Sequence, residues 1–304
     1  MNIAYLKFVV ETAEAHSFSQ AAEKCHVTQS TLSHGVAEVE KELGAKLFER
    51  TTRSVTLSPF GKALIPLMKT ILSAESNLIL QAKNYLNPEK AIIKIGISPL
   101  LNPGFTSMLT QSFKEKNPNH EIVLYEENLT ELQKMLLSNS LDFIFVPLIA
   151  DFSAEFGKMR SLFLYDEPLV LITQDESLLN SGSVSPKTLS GQKFVMVPDA
   201  CGLASVTREI FRRARVPLNE YEGKAFSYGA LTDWAQNGIG SAVLPKSKVS
   251  GTRIILFMKD ANDNVEHIRF VAIASSSSCL RFKEFAEHIR TNSERLARGL
   301  GLGL

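Results

Sequence analysis

The segment from residue 19 to residue 57 constrains the fold of this chain more than any other part of it. Ser19 is a good N-cap for a short helix that runs to Lys24, and Thr28 caps a second helix after a tight turn. The second helix carries an amphipathic core stripe, namely Leu32, Val36, Val39 and Leu43. Arg50 to Leu57 is polar and β-branched, which predicts two short strands. This order predicts a major-groove reader with a wing that grips the DNA backbone.

The polar residues of this segment are the candidate DNA contacts. They are Ser19, Thr28, Gln29, Ser30, Thr31, Ser33, His34, Arg50 and Arg53. Glutamine can pair with adenine through two hydrogen bonds and serine can serve several bases, whereas the two arginines are expected to hold phosphates from the wing. The alternatives are ordinary solvated side chains and, for Arg50, a salt bridge inside the domain. The net charge of +1 gives no basic footprint, so this prediction depends on the motif alone.

A long helix follows the hairpin. Its apolar residues are spaced at three or four over about seven turns: Phe60, Leu64, Leu67, Ile71, Ala74, Leu78, Ala82 and Tyr85. A helix of this length with one apolar seam usually pairs with a copy of itself. Pro66 predicts a bend, and Asn87-Pro88-Glu89 predicts a hinge at the end of the helix.

Residues 91 to 300 alternate short apolar strands with helices, which predicts α/β lobes built on buried parallel sheets. Two lobes joined by two crossovers form a cleft in which small ligands usually bind. The chain has 304 residues, of which 44% are hydrophobic, and its longest apolar run, Phe143 to Ala150, is too short for a membrane helix. Three widely spaced cysteines and the absence of an export signal indicate a reducing cytoplasm. No catalytic, metal or cofactor motif occurs, so an enzyme is not expected.

The candidate effector contacts come from segments that open helices or follow strands in the two lobes. They are Ser98, Leu100, Phe105, Asn128, Thr130, Pro147, Cys201, Gly202, Leu203 and Phe226. The amides around Gly202 would favour an anion and lower the pKa of Cys201, and Ser98 and Thr130 would donate hydrogen bonds. A cleft this apolar predicts a small acid held by amides and hydroxyls, or a largely apolar effector. The alternative for both hydroxyls is a helix cap or a turn.

The order of these motifs resembles the LysR-type transcriptional regulators over essentially the whole chain. The matching segments are Phe18-Ser19-Gln20-Ala21-Ala22, Thr28-Gln29-Ser30-Thr31-Leu32-Ser33, Leu47-Phe48-Glu49-Arg50, Thr56-Leu57-Ser58-Pro59-Phe60-Gly61, Ile95-Gly96-Ile97-Ser98, Tyr165-Asp166-Glu167-Pro168 and Gly238-Ile239-Gly240. The resemblance implies a winged helix-turn-helix (1–58), a linker dimerisation helix (59–87) and a periplasmic-binding-protein-like effector domain (88–304). It places lobe I at about 91–161 and 266–304 and lobe II at about 162–265. It also implies a homotetramer that binds an interrupted dyad in double-stranded DNA near a promoter, where RNA polymerase is a possible partner.

Cys201 stands at about the place where the peroxide-sensing subgroup of this family carries its reactive cysteine, and the segment 164–168 also resembles that subgroup. A thiol switch usually needs a resolving partner, and the position where that cysteine is expected holds Ile210. Ala200 also replaces an expected histidine. The main prediction is therefore regulation by a small-molecule effector, with thiol-based sensing of oxidative stress through Cys201 as the alternative.

Overall fold

The computed structural model of the protein describes residues 2–50, 55–86, 91–149, 159–178, 181–249 and 255–302. The chain divides into two compact units, residues 1–87 and residues 88–137 with 141–304. Each unit has its own cluster of buried apolar side chains. Arg53 lies outside the described residues, and so does the side chain of Arg50.

The first unit packs three helices, a hairpin and a long helix around one core. Its elements are α1 (Ile3–Ala15), α2 (Phe18–Lys24), α3 (Gln29–Leu43), β1 (Phe48–Arg50), β2 (Val55–Leu57) and α4 (Pro59–Leu86). Helix α3 begins at the predicted cap Thr28 and ends at Gly44, whose φ of 80° suits glycine. The predicted cap of α2 was wrong, because Ser17 accepts the hydrogen bond from Gln20 N and Ser19 lies inside the first turn.

Helix α4 continues through Pro66, and the bend predicted there stays a prediction. Ile65 and Met68 are buried against the core of the first unit. Other apolar residues of the same helix are exposed, namely Phe60, Leu67, Ile71 and Leu78. Helix α4 therefore exposes apolar side chains that the core of the first unit does not cover.

The second unit is built on one continuous sheet. Its strands are β3 (Ile92–Ile97), β4 (Glu121–Glu126), β5 (Phe143–Pro147), β6 (Arg160–Ile172), β7 (Ser183–Val184), β10 (Ala242–Pro245), β11 (Leu256–Met258) and β12 (His267–Ala274). They lie in the order β4-β3-β5-β12-β6-β11-β7, and β10 also pairs with β6. The separate pair β8 (Lys193–Met196) and β9 (Asn219–Lys224) is parallel.

Strand β6 passes through both lobes. Residues 160–168 pair with β12 of lobe I, and residues 169–172 pair with β10 and β11 of lobe II. The crossover therefore falls after Pro168, whereas the sequence placed the start of lobe II at about residue 162. The prediction of parallel sheets was correct for the pairing of β3 with β4 and β5. It was wrong for β12, which is antiparallel to both of its neighbours, and for β6, which is antiparallel to β10 and β11.

Helices cover both lobes. They are α5 (Pro103–Lys116), α6 (Leu129–Leu137), α7 (Leu203–Arg213), α8 (Tyr228–Gln236), α9 (Ser276–Arg281) and α10 (Lys283–Gly299). Phe113 of α5 stacks edge-on against Phe285 of α10 with a centroid distance of 4.9 Å, which joins these helices over lobe I. None of the helices in the described part of the chain has the length and apolarity needed to cross a membrane.

Candidate functional site

The N-terminal end of α3 presents a row of exposed polar side chains. Thr28, Gln29, Ser30, Thr31 and His34 are exposed, and Ser33 is half-buried. On the opposite face Leu32 and Val36 are fully buried, so the core fixes the rotation of the helix. An α-helix oriented in this way can enter the major groove with its N-terminal residues at the base edges.

Hydroxyl groups organise the first turn of α3. Thr28 Oγ1 accepts from Thr31 N at 3.2 Å and lies 2.9 Å from Ser30 Oγ and 2.8 Å from Thr31 Oγ1. In the same region Ser19 Oγ of α2 donates to Gln29 Oε1 at 3.2 Å. These bonds link side chains that the sequence named separately as candidate contacts.

His34 lies at the edge of the aromatic ring of Tyr5 on α1. The two ring centroids are 6.4 Å apart and the rings are nearly perpendicular. Gly35 beside it is required for close packing, because a Cβ there would lie 2.7 Å from Phe8 Cδ2 and 2.8 Å from Tyr5 Cδ1. The crossing of α1 and α3 therefore packs His34, the last residue of the polar row, against Tyr5.

A buried carboxylate that sequence reasoning missed connects α3 to the wing. Glu40 is 3% exposed, and its Oε1 accepts from Leu47 N at 2.8 Å and from Phe48 N at 3.3 Å. Its other oxygen accepts from Lys46 Nζ at 2.8 Å. The available signal was an acidic residue one turn after Val36, on the apolar face of the helix. Glu40 thereby fixes the chain between the recognition helix and β1.

Ser58 and Gly61 fix the other end of the hairpin. Ser58 Oγ donates to Lys46 O at 2.7 Å and accepts from Gly61 N at 3.0 Å, so it caps α4. A Cβ on Gly61 would lie 2.2 Å from Leu47 O, so only glycine, which has no Cβ, fits at this position. The backbones of α4 and of the turn before β1 therefore approach each other closely.

In the second unit the lobes meet where α7 begins. Gly202 has a φ of 82°, and a Cβ on it would lie 2.5 Å from Leu129 Cδ1 and 2.6 Å from Ile149 Cδ1. Pro147 Cγ would be 3.5 Å away, and Leu203 is buried in the core. The sequence predicted open backbone amides that could bind an anion at this helix start. That prediction was wrong, because apolar side chains of lobe I cover Gly202.

Cys201 lies just before this contact and is half-buried. Burial raises the pKa of its thiol, and the neighbouring Tyr228 hydroxyl opposes this only in part. Burial therefore opposes the lowered pKa that the sequence predicted for this thiol. Burial also raises the pKa of Tyr228. Its hydroxyl oxygen is buried beside Cys201 and makes no hydrogen bond of regular geometry within the described chain.

Two of the remaining polar candidates, Ser98 and Asn128, have structural roles. Ser98 is 2% exposed and its Oγ accepts from Leu100 N at 3.3 Å, so it forms a turn. Asn128 Oδ1 accepts from Glu131 N at 3.0 Å and caps α6, while Thr130 is exposed in the first turn of that helix. For Ser98 this is the alternative, a turn, that the sequence left open.

The apolar candidates are not brought together as the lining of a cleft. Leu100 and Phe105 are fully buried, and the ring centroids of Phe105 and Tyr165 are 4.6 Å apart inside lobe I. Phe226 is 88% exposed, so its side chain does not form the wall of an enclosed cleft. The predicted apolar wall therefore belongs mainly to the core of lobe I.

Sequence reasoning also missed a lysine that bridges the lobes. Lys248 Nζ of lobe II donates to Leu101 O of lobe I at 2.6 Å and lies 5.8 Å from the centroid of the Tyr228 ring. Burial lowers the pKa of Lys248, and the carboxylates of Glu167 and Glu126 oppose this. Glu167 is fully buried, and its Oε1 accepts from Ser247 N at 2.5 Å. The available signal was Lys246-Ser247-Lys248 directly after β10.

A winged helix-turn-helix unit followed by a two-lobed α/β unit defines a DNA-binding transcriptional regulator with an effector-binding domain. Residues 3–62 match the bacterial regulatory helix-turn-helix protein, lysR family, and residues 87–290 match the LysR substrate binding domain. The chain belongs to the LysR family of transcriptional regulators. The family and fold predicted from the sequence are thereby confirmed.

Individual relatives agree with this assignment. The chain is 29% identical to the hydrogen peroxide-inducible genes activator of Dickeya chrysanthemi, over 84% of this chain and 82% of that protein. It is 31% identical to the DNA-binding transcriptional dual regulator OxyR of Escherichia coli, over 66% of this chain and 64% of that protein. The crystal structure of full-length CbnR complexed with its target DNA shares the fold with a TM-score of 0.69, at 18% identity over 95% of this chain and 99% of that chain.

Proposed function

We propose that the protein binds an interrupted dyad in promoter DNA as a homotetramer and acts in the bacterial cytoplasm as a regulator without enzymatic activity. The observation that carries this proposal is the exposed polar row at the start of α3 above a closed core. We assign DNA binding to residues 1–58, pairing to 59–87 and effector binding to 88–304. Arg50 and Arg53 are proposed to hold phosphates, and contact with RNA polymerase is part of the proposal.

The exposed apolar residues of α4 support the pairing. Leu67 and Leu78 are 60% and 69% exposed, and Phe60 and Ile71 lie on the same helix with more than a third of their surface exposed. An apolar seam on a long helix is stabilised when a second copy covers it. Such a pair would place two recognition helices on one duplex, as a dyad requires.

The effector is proposed to bind where Cys201, Tyr228 and Lys248 of lobe II face lobe I, near Thr130. A small molecule with an acidic group suits this place, because Lys248 is desolvated and the Tyr228 hydroxyl, which lies beside Cys201, makes no hydrogen bond of regular geometry within the described residues. Binding there would replace the contact of Lys248 with Leu101 O. A ligand that prefers one arrangement of the lobes shifts their equilibrium and so changes how the regulator holds DNA.

Peroxide sensing through Cys201 is the second candidate, and the names of the peroxide-inducible relatives favour it. Two observations oppose it. Burial raises the pKa of the Cys201 thiol, which lowers the thiolate fraction that peroxide attacks, and the buried Ile210 stands at the place of a resolving cysteine. We therefore propose that Cys201 is part of the effector site and is not an oxidation switch.

A thermal-shift screen of the full chain against small carboxylates, amino acids, aromatic compounds and peroxide tests these proposals. A carboxylate that raises Tm for the wild type and for Lys246→Gln, but not for Lys248→Gln, would support the effector site. The same carboxylate should alter the DNase footprint on a promoter fragment. A Tm shift that appears only with peroxide and is lost in Cys201→Ser would contradict the effector proposal and favour the redox alternative.

A further inference from the structure

We propose that His288 makes the contact between α5 and α10 an acid-sensitive clasp, which is closed while the imidazole ring is neutral and opens when the ring takes a second proton. His288 lies on α10 and is 7% exposed, and its Nε2 lies 2.9 Å from Ser112 Oγ of α5. The ring also packs against Phe113 of α5, with the two centroids 5.5 Å apart. The imidazole therefore stands between two helices of lobe I, and neither the proposed DNA contacts nor the proposed effector site uses it.

Asn292, one turn further along α10, determines which nitrogen of the ring is bare. Its Oδ1 lies 3.1 Å from Arg295 Nη2, and a guanidinium only donates. Its Nδ2 lies 3.0 Å from His288 O, and a carbonyl only accepts. These two neighbours together fix the orientation of the amide, so the Nδ2 protons face His288 Nδ1 at 3.2 Å. Nδ1 therefore accepts a hydrogen bond and carries no proton.

The direction of the other hydrogen bonds follows from this assignment. A neutral histidine with a bare Nδ1 carries its one proton on Nε2. Nε2 then donates to Ser112 Oγ, and the Ser112 hydroxyl donates its own proton to Leu109 O at 3.1 Å. The hydrogen bonds from Arg295 through Asn292, His288 and Ser112 to the carbonyl of Leu109 thus run in one direction, and each donor faces an acceptor.

A second proton on the ring does not fit this arrangement. An N–H at Nδ1 would point at the Nδ2 donor of Asn292, and rotating that amide would turn its protons toward Arg295. The charged groups that act on the ring, Lys116 of α5 and Arg295 of α10, are both positive. Burial lowers the pKa of His288 and these two cations lower it further, while the Leu109 carbonyl opposes them. The second proton is therefore accommodated only when the clasp opens.

The pH range in which the clasp acts follows from the direction of this shift. Because the folded pKa lies below the ordinary value of 6.5, the closed clasp keeps its full stability above pH 6.5 and loses it as the pH falls toward the lower folded pKa. Helix α5 begins two residues after Leu101, whose carbonyl accepts the bridge from Lys248 of lobe II. The clasp therefore holds the helix that directly follows the bridge between the lobes.

The test is amide hydrogen exchange by mass spectrometry on the full chain at about pH 7.5 and about pH 5.5, with each rate corrected for the intrinsic pH dependence of exchange. His288→Gln does not titrate and keeps an amide donor toward Ser112. Asn292→Asp replaces the Nδ2 donor with an acceptor that suits a proton on Nδ1. His120→Gln is the matched control, because the His120 ring also packs against Phe113, with centroids 5.4 Å apart.

Peptides of α5 and α10 from the wild type and from His120→Gln should exchange about tenfold faster at the lower pH, since an opened His288 would titrate with a pKa of about 6.5. In His288→Gln and Asn292→Asp the same peptides should change less than about twofold, and peptides of the first unit should not respond in any variant.

Three results would overturn the proposal. The first is an acid effect that persists in His288→Gln or in Asn292→Asp, because the bare Nδ1 would then not be the sensor. The second is a wild type whose corrected rates are equal at both pH values. The third is equal acceleration of all peptides, which would show that acid acts on the whole protein and not on the contact between α5 and α10.

Discussion

Replacement of Glu40 tests whether a buried carboxylate fixes the wing to the recognition helix. In Glu40→Ala the amides of Leu47 and Phe48 lose the oxygen that accepts from both of them at 2.8 and 3.3 Å. A hydrogen bond to a charged group contributes about 1.5–3 kcal/mol, and the longer bond contributes less. We expect the free energy of local opening to fall by about 3 kcal/mol. The ion pair with Lys46 adds little, because that lysine side chain is 74% exposed.

The assay is amide hydrogen exchange by mass spectrometry on the full chain, following peptides that cover α3 and β1. A loss of about 3 kcal/mol corresponds to about 100-fold faster exchange. Glu40→Gln keeps the acceptor oxygen and should lose about 1 kcal/mol, while Lys46→Ala should change exchange less than about fivefold. If Lys46→Ala accelerates exchange as much as Glu40→Ala does, the ion pair is the main contribution and the reasoning is refuted.

Two further substitutions test close packing and charge pairing. Gly61→Ala would place a Cβ 2.2 Å from Leu47 O and should lower the stability of the first unit by at least about 2 kcal/mol, measured by the same exchange assay. Gly299→Ala is the control, because a Cβ there would have no atom within 4 Å, and it should not destabilise the protein. Glu220 accepts two hydrogen bonds from Arg208, at 2.6 and 2.9 Å, and this partner lowers its pKa from 4.5 to about 2. Because the folded pKa is the lower one, the stabilisation is present above pH 4.5 and is lost as the pH falls toward 2. Glu220→Gln should therefore cost about 1–2 kcal/mol at pH 7 in urea unfolding and about nothing near pH 2; an equal cost at both pH values would contradict the pairing.

The sequence predicted the first unit well because its signals are local. Helix α3 has its cap at Thr28, its apolar stripe and its stop at Gly44 within seventeen residues. The role of Glu40 was not predictable from such signals, because its partners Leu47 and Phe48 become close only after the chain turns into the wing. A lone acidic residue on an apolar face indicates a buried role but does not identify the amides that it binds.

In the second unit, too, the sequence did not predict contacts between residues that are far apart along the chain. The predicted alternation of short apolar strands and helices is observed, for example in strand β3 (Ile92–Ile97) and helix α8 (Tyr228–Gln236), since each is a short apolar or amphipathic segment. The sequence did not predict that β6 serves both lobes, because that depends on pairing with β12, about a hundred residues later. The bridge from Lys248 to Leu101 spans 147 residues and leaves no periodic pattern. The apolar candidates Leu100 and Phe105 were misassigned because core and cleft residues have the same chemistry.

Ser17 and Ser19 show how a wrong choice of helix cap hides a side-chain contact. Ser17 and Ser19 are both acceptable N-caps by residue type, and the sequence alone favoured Ser19 as the cap. The structure assigns the cap to Ser17, so Ser19 is two residues further on and its hydroxyl can reach Gln29. Had Ser19 been the cap, its oxygen would accept from a backbone amide of its own helix. The choice between these two caps therefore decides whether the chain has a side-chain link between α2 and the recognition helix.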